Sequence, residues 1–457
     1  MDLPDADRRD RQMDMKQLNR EYRDIIEKKP EKHQLSGKQE LEYMQNSTAR
    51  YHERVIRTLY MAKLFPTETV HFLQEQAETM HRILVKVIEE YLSKPDFRSL
   101  FGFSKEYEEL ILQRPGYNNL LPMARLDIFF NEETSQFKFC EFNADGTSAM
   151  NEDRELNIAF RQTEAYKNLS KKYQCDSFEL FDSWVQEVSN IYESYPQKVD
   201  KPVVGIVDFL EKGHSTYEFN QFRQAFEKAG FRTYICEIRE MTYDGRHLYS
   251  GEGEAIDLIY RRAVTSDVFE NRSEISAFLQ AVRDDAVCVI GNFCTQVVHD
   301  KTLFRVLRHK RCEAFLTERE IQFVKEHIPG TWDLTKENIR RNKVIAEKNN
   351  WLIKPKNSYA ARGVYAGINF SRWKWKRLLK KYQKENYVLQ EFIMPYKSDN
   401  IDYSNADPEF KKYTNMTGMY MYNGRLAGFY SRQADQEIIS GIYGEYDLAS
   451  VQVSLLK

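Results

Sequence analysis

The sequence lacks any apolar run near the ~20 residues needed to cross a bilayer. Its opening, Met1-Asp2-Leu3-Pro4 and then a charge-dense stretch, lacks the apolar core of a secretion signal. Neither charge is in surplus: 67 Lys and Arg stand against 69 Asp and Glu, a net charge of -2. That balance argues against a general nucleic-acid or anionic-membrane binder and leaves room for a local basic patch alone. Paired cysteines are missing. The six Cys (140, 175, 236, 288, 294 and 312) include no C-x-x-C and are expected to be reduced thiols, neither a disulfide framework nor a zinc site. Two phosphate-binding signatures are also missing, G-x-x-x-x-G-K-[ST] and a well-placed G-x-G-x-x-G. What is present is 457 residues, 42% hydrophobic and 13% aromatic. Burial on that scale offsets ordering entropy, and the length suits about three structural units. A soluble, cytoplasmic, globular protein is expected.

The chain divides by pattern into residues 1–95, 96–200, 201–299 and 300–457. The first segment reads as helical. Leu18, Tyr22, Ile25 and Ile26 share one stripe, and Leu73, Ala77, Met80, Leu84, Val87, Ile88 and Tyr91 share a stronger one. That stripe also fits an oligomer seam, so a homo-oligomer stays open. Near 120 the period becomes two, and residues 126–130 and 137–142 read as a hairpin. Residues 150–195 return to helix. Strands at 203–207, 233–236 and 256–260 around a helix at 219–230 imply a layered α/β unit with parallel strands. In the last segment 351–353 and 387–389 read as strands. Residues 416–422 and 426–430, joined by Asn423-Gly424, read as a tight hairpin.

Arg125-x-Asp127 and Glu141-x-Asn143 lie on the two arms of the first hairpin. Alternation keeps each pair on one face. If residue 127 pairs with 141, all four side chains converge, whereas a slip of one residue separates them. Two carboxylates and an amide suit magnesium, which takes hard oxygen ligands, with the arginine turned to phosphate or an anionic substrate. The same residues also fit a solvated sheet face with cross-strand ion pairs. The small residues Ala144 to Ala149 follow directly, where a backbone can approach a ligand.

Lys354 ends a buried strand and runs into the small, polar loop Asn357 to Gly363. That placement suits a triphosphate, with the lysine as point charge and loop amides as donors. Lys301 is a candidate second phosphate lysine or a helix-start surface residue. Gln390, Glu391 and Ile393 end a strand with polar groups beside apolar ones, as an adenine ring needs. Arg432 ends the last hairpin, where it can steady a phosphoryl group or make a salt bridge. His214 reads as a loop histidine or a substrate contact.

Taken together, Arg125-x-Asp127, Glu141-Phe142-Asn143-Ala144-Asp145, Ile353-Lys354-Pro355 and Leu389-Gln390-Glu391-Phe392-Ile393 resemble the ATP-grasp superfamily. Metal ligands that precede the nucleotide lysines resemble its circularly permuted branch, typified by glutathionylspermidine synthase. The resemblance covers about residues 120–445. It implies an α/β (α+β) fold: a circularly permuted ATP-grasp unit split between 96–200 and 300–457, a pre-ATP-grasp unit at 201–299, and an N-terminal helical region. It further implies ATP and Mg2+ as cofactors, with Asp127, Glu141 and Asn143 on the metal. Lys301 and Lys354 would hold phosphates, and Gln390, Glu391 and Ile393 would line the adenine. Arg125 and Arg432 would serve the reacting groups. The implied activity is ligation of a small-molecule or peptide carboxylate to an amine or thiol, with no nucleic acid or membrane partner. After Asp145 the chain has Gly146-Thr147-Ser148 where the synthase pattern has Thr-Pro-Thr, so the substrate need be neither glutathione nor spermidine. A non-catalytic ATP-binding scaffold and a phosphotransferase are the alternatives.

Overall fold

In the computed structural model, the strong apolar stripe forms the helix Thr67–Ser93. The structure describes residues 13–51, 54–210, 216–356, 362–439 and 444–456. The charged residues 1–12, His214 and most of the loop after Lys354 (357–361) lie outside them. Among the described residues no helix is long and apolar enough to cross a membrane. Leu73, Ala77, Met80, Leu84, Val87, Ile88 and Tyr91 are fully buried. They share a core with Ala124, Leu126, Ile128, Phe139, Met419, Met421 and Phe429, the apolar side of the largest sheet.

Among the described residues six strands make that antiparallel sheet. Its path is Tyr446–Leu448, Arg425–Ala434, Phe410–Tyr422, Met123–Phe130 and Phe137–Asn143, with Lys397–Ile401 also paired to Phe410–Tyr422. Asn423 and Gly424 both have positive φ, 47° and 86°, as the tight hairpin turn demands. The first hairpin turns without glycine. Asn131 Oδ1 accepts from the amides of Glu133 and Thr134 at 2.9 and 3.2 Å, and Ser135 takes φ 56°.

From that turn Phe130 faces Phe137, Phe129 faces Lys138 and Ile128 faces Phe139. Continued unbroken, this register would set Leu126 opposite Glu141 and send the carboxylate into the apolar core. The register instead shifts between Asp127 and Ile128, so Asp127 faces Glu141 and Arg125 faces Asn143. Cys140 is the extra residue of this β-bulge.

A second sheet is wholly parallel, in the order Cys288–Ile290, Leu258–Arg261, Val203–Asp208, Arg232–Glu237. Trp184, Phe222 and Phe226 cover one face, and Phe278 and Leu279 pack in the core on the other. A small antiparallel sheet runs Thr331–Asp333, Tyr387–Glu391, Trp351–Pro355, Tyr365–Ala366. The helix Arg372–Tyr382 covers it through Trp375 and Leu379, in one core with Ile353 and Leu389.

Two stretches expected to be helical carry strands. Lys63–Pro66 pairs in parallel with Ser450–Leu455, which also pairs with Tyr173–Ser177. A buried four-residue run has no period of its own. Its strand state comes from a partner at the far end of the chain.

The bulge makes a direct prediction. Cys140→Ala keeps the register and removes only a thiol 3.2 Å from the Asp127 carbonyl, so unfolding in urea should change by about 1 kcal/mol or less. Deleting Cys140 pushes Glu141 toward the Leu126 side and should cost roughly 3–5 kcal/mol. Equal stability of the two variants would mean that something else sets the register.

Candidate active site

The strand Met123–Phe130 is buried on both faces. Ala124, Leu126 and Ile128 enter the helix-lined core, and Arg125 and Asp127 alternate onto the other side. Asp127, fully buried, accepts from Arg125 Nε at 2.8 Å, Asn143 Nδ2 at 3.1 Å and Arg432 at 2.6 Å. The Tyr430 ring lies 5.0 Å from the Arg125 guanidinium and 5.2 Å from that of Arg432, within cation–π range of both. Glu445 stands 3.5 Å from Arg432. Gly418 faces Asp127 from the neighbouring strand. A Cβ there would meet Arg125 Cδ at 2.7 Å and Asp127 Oδ1 at 2.8 Å, so glycine is what leaves room for the pair.

Two lysines from the last third of the chain reach this hairpin. Lys301 Nζ lies 2.9 Å from Glu141 Oε1, and its backbone N–H donates to the Lys356 carbonyl at 2.9 Å. Lys354 Nζ donates to the Cys140 carbonyl at 3.1 Å and sits 4.7 Å over the Phe304 ring. The bulge therefore supplies the acceptor that anchors Lys354. Burial opposes the Glu141 charge, but Lys301, then Lys354 and Arg432, outweigh it and hold the carboxyl down at about 2. Burial, with repulsion from Lys301, lowers Lys354 to about 8.

The loop after Asn143 is pinned to the carboxyl end of the parallel sheet, where ligands of open α/β sheets collect. Asp145 pairs with Arg261 at 2.6 Å, and Arg262 pairs with Glu218 at 2.7 Å and donates to the Thr147 carbonyl. Glu218 also accepts from the amides of Met150 and Asn151 at 2.8 and 3.2 Å, the start of the helix Met150–Gln162. Gly146 has φ 62°, and a Cβ on it would meet the Arg262 carbonyl at 2.8 Å. Arg125 and the Tyr420 hydroxyl both donate to the Ser148 carbonyl at 2.9 Å.

Arg125, Asp127, Asn143 and Arg432 thus form one cluster, and Glu141, Lys301 and Lys354 a second one beside it, joined through the Asp127–Glu141 register pair. The three residues read as an adenine pocket stand apart from both. Gln390 is buried and donates to Thr331 Oγ1 at 2.8 Å, Glu391 accepts from the Gly330 amide at 2.6 Å, and Ile393 lies half-buried beyond the strand. Register does place Gln390 on the Lys354 side of the small sheet, because Leu352 faces Gln390 and Lys354 faces Val388. Among the described residues no group of three His, Cys, Asp or Glu is placed to hold a metal. The oxygen donors Asp127, Glu141 and Asn143 are two carboxylates and an amide, and the Asn143 nitrogen is engaged on Asp127, which leaves its oxygen for a ligand. That donor set suits a hard cation. Sequence reasoning missed Gly418, Tyr430, Glu445 and the Cys140 carbonyl. The two-residue period of Met419, Tyr420 and Met421 carries a hint of the site-facing side, and nothing local marks the others.

The sequence pattern described as glutathionylspermidine synthase preATP-grasp matches residues 23–314. The chain belongs to this glutathionylspermidine synthase family. None of the curated proteins matches the sequence. A glutathione synthetase-like effector from Globodera pallida, solved in the apo form, superposes with a TM-score of 0.60. The match is 11% identical and covers 96% of this chain and 98% of that one, so the two share a fold. A Methylobacillus flagellatus protein provisionally named a gamma-glutamylcysteine synthetase superposes with a TM-score of 0.41 at 13% identity, over 80% of this chain and 86% of its own. Membership of the family agrees with the ATP-grasp fold class expected from the Asp127, Glu141 and Lys354 motifs.

Glu141 ties the site to acid stability. Its carboxyl sits at about 2 in the fold against about 4.3 in an open chain. The stability it contributes is complete above the open-chain value and is lost as pH falls through the folded one. Glu141→Gln should therefore flatten the fall in unfolding free energy across that window, followed by urea titrations at stepped pH. An unchanged acid limb would remove the Lys301 pairing from the account. Gly418→Ala should lower stability by about 1–3 kcal/mol through overpacking and displace Arg125, visible as a melting shift.

Proposed function

We propose that the protein is an ATP- and magnesium-dependent ligase that joins a small-molecule or peptide carboxylate to an amine (or thiol) through an acyl phosphate. One observation carries this reading: four cations gather over one hairpin, Arg125 and Arg432 on Asp127, Lys301 on Glu141 and Lys354 on the adjoining Cys140 carbonyl. Membership of the glutathionylspermidine synthase family supports the ligase class and its general use of ATP and Mg2+.

In this reading Lys354 and Lys301 bind the triphosphate between the hairpin and the small sheet, and Gln390, Glu391 and Ile393 line the adenine. Asp127, Glu141 and Asn143 hold the magnesium, which neutralises phosphate charge when bound. Arg125 and Arg432 hold the acid substrate against the γ-phosphoryl group. Without them the two anions repel. A carboxylate oxygen attacks the γ-phosphorus in line and ADP leaves. The amine then attacks the acyl carbon, loses a proton and expels phosphate. Positioning and charge neutralisation are the protein's contribution.

Lys354→Ala should weaken ATP binding by roughly one to two decades, the worth of a charge-assisted contact. A phosphate raises the affinity of a lowered lysine for its proton, so ATP binding near pH 8 should take up protons. Calorimetry in buffers of different ionisation enthalpy measures this, and the uptake should vanish in the variant. Unchanged ATP affinity would remove Lys354 from the phosphate site. The reaction class is tested by screening ATP turnover across amino acids, small peptides and polyamines, then replacing the amine with hydroxylamine. A hydroxamate that depends on ATP, magnesium and the acid is expected. ADP with a stable phosphoester and no hydroxamate would make the enzyme a phosphotransferase.

A further inference from the structure

We infer that the helix Arg372–Tyr382 is a docking surface for an anionic lipid bilayer, independent of the chemistry at Asp127. Its sequence reads Arg-Trp-Lys-Trp-Lys-Arg-Leu-Leu-Lys-Lys-Tyr, with no acidic residue, in a chain whose net charge is -2. One side of the helix is already used. Trp375, Leu379 and Tyr382 are buried in the core of the small sheet, and Trp375 Nε1 donates to the Val344 carbonyl at 3.2 Å. The six cations Arg372, Lys374, Lys376, Arg377, Lys380 and Lys381 are all exposed. Among the described residues none of the six forms an ion pair.

This charge works against the helix that carries it. Arg372 with Lys376, Lys376 with Lys380, and Arg377 with Lys381 stand four residues apart, where like charges destabilise a helix. Arg372 and Lys374 occupy the first turn, whose partial positive charge favours anions. The dipole favours Lys380 and Lys381 in the last turn, but local stability would select glutamate in the first turn and the middle, and the fold instead holds an uncompensated cationic face there. The end of the helix Lys336–Arg341 and the turn after it, which supplies Val344 to the same core, add exposed Arg340, Arg341 and Lys343.

Trp373 indicates what that face meets. It is 63% exposed, on the cationic side of a helix whose other tryptophan is buried, and the Arg377 guanidinium lies 4.7 Å over its ring. An indole flanked by lysine and arginine is the composition that settles at a membrane–water interface facing anionic headgroups. Single-stranded nucleic acid takes a groove that tracks its backbone and successive stacking rings. Here, among the described residues, the cations line the exposed side of one helix with one exposed ring and no groove, which suits a surface.

Co-sedimentation of the full chain with phosphatidylcholine vesicles, with and without about 30% phosphatidylserine, tests this at about 0.1 M and about 0.5 M salt. Binding is expected to the anionic vesicles alone, at least about tenfold weaker in K376E/R377E/K380E and at the higher salt. Trp373→Ala should weaken it less and abolish any blue shift of tryptophan emission on binding. Equal melting temperatures certify the folding of the charge-reversed variant; if it melts lower, the salt series and Trp373→Ala decide. Failure to bind anionic vesicles, equal binding to both vesicle types, or undiminished binding by the charge-reversed variant overturns the inference. Tighter binding to a single-stranded RNA than to anionic vesicles also overturns it, and assigns the face to nucleic acid.

Discussion

Paired strands allow no half-measures: a side chain faces one side of the sheet or the other, and a slip of one residue reverses every choice. In this protein the extra residue Cys140 fixes that choice for the whole site. It turns Glu141 out of the apolar core and sets it opposite Asp127. Its carbonyl receives Lys354. The apolar side of the same strands keeps its period and packs on the long helix. One bulge thus satisfies two demands that a regular hairpin cannot meet together, a dry core on one face and a charged cluster on the other.

The charges themselves are unevenly balanced. Arg125 and Arg432 share one fully buried carboxylate, with Glu445 beside Arg432, and Lys301 and Lys354 share the neighbourhood of another. The depressed proton affinity of Lys354 records the resulting repulsion and desolvation. Burial makes this excess positive charge costly to the fold and effective toward a polyanion, since both follow from the same low dielectric. Around it the second tier is neutralised pair by pair. Asp145 with Arg261, and Glu218 with Arg262, tie down the loop after Asn143 without adding net charge at its centre.

Much of this was legible in the sequence. The period of the helix 67–93, the hairpin arms at 126–130 and 137–142, and the parallel strands around 203–260 follow from local pattern, because each element carries its own apolar period; that pattern left both the 127–141 register and its one-residue slip open. The tight turn at Asn423-Gly424 was legible from its residues alone. The bulge was not, since nothing in Phe139-Cys140-Glu141 marks an extra residue. The partner of Glu141 was invisible because Lys301 lies far along the chain. Glu445 and Gly418 were missed for the same reason, as their meaning lies across the sheet. Gln390 shows the converse: its strand was read correctly, yet its side chain is occupied by Thr331, a contact no local pattern contains.

The small three-stranded sheet bears on how the chain comes to be folded at all. Its middle strand, Ser450–Leu455, joins Lys63–Pro66 on one edge and Tyr173–Ser177 on the other. During synthesis both outer strands emerge hundreds of residues before the strand that bridges them. Until it arrives they are unpaired edges, exposed to neighbours on the same polysome. Contacts of such sequence separation slow folding. Lys63–Pro66 and Tyr173–Ser177 therefore cannot join into one sheet until residues 450–455 have left the ribosome, so the early part of the chain waits longest for its partner.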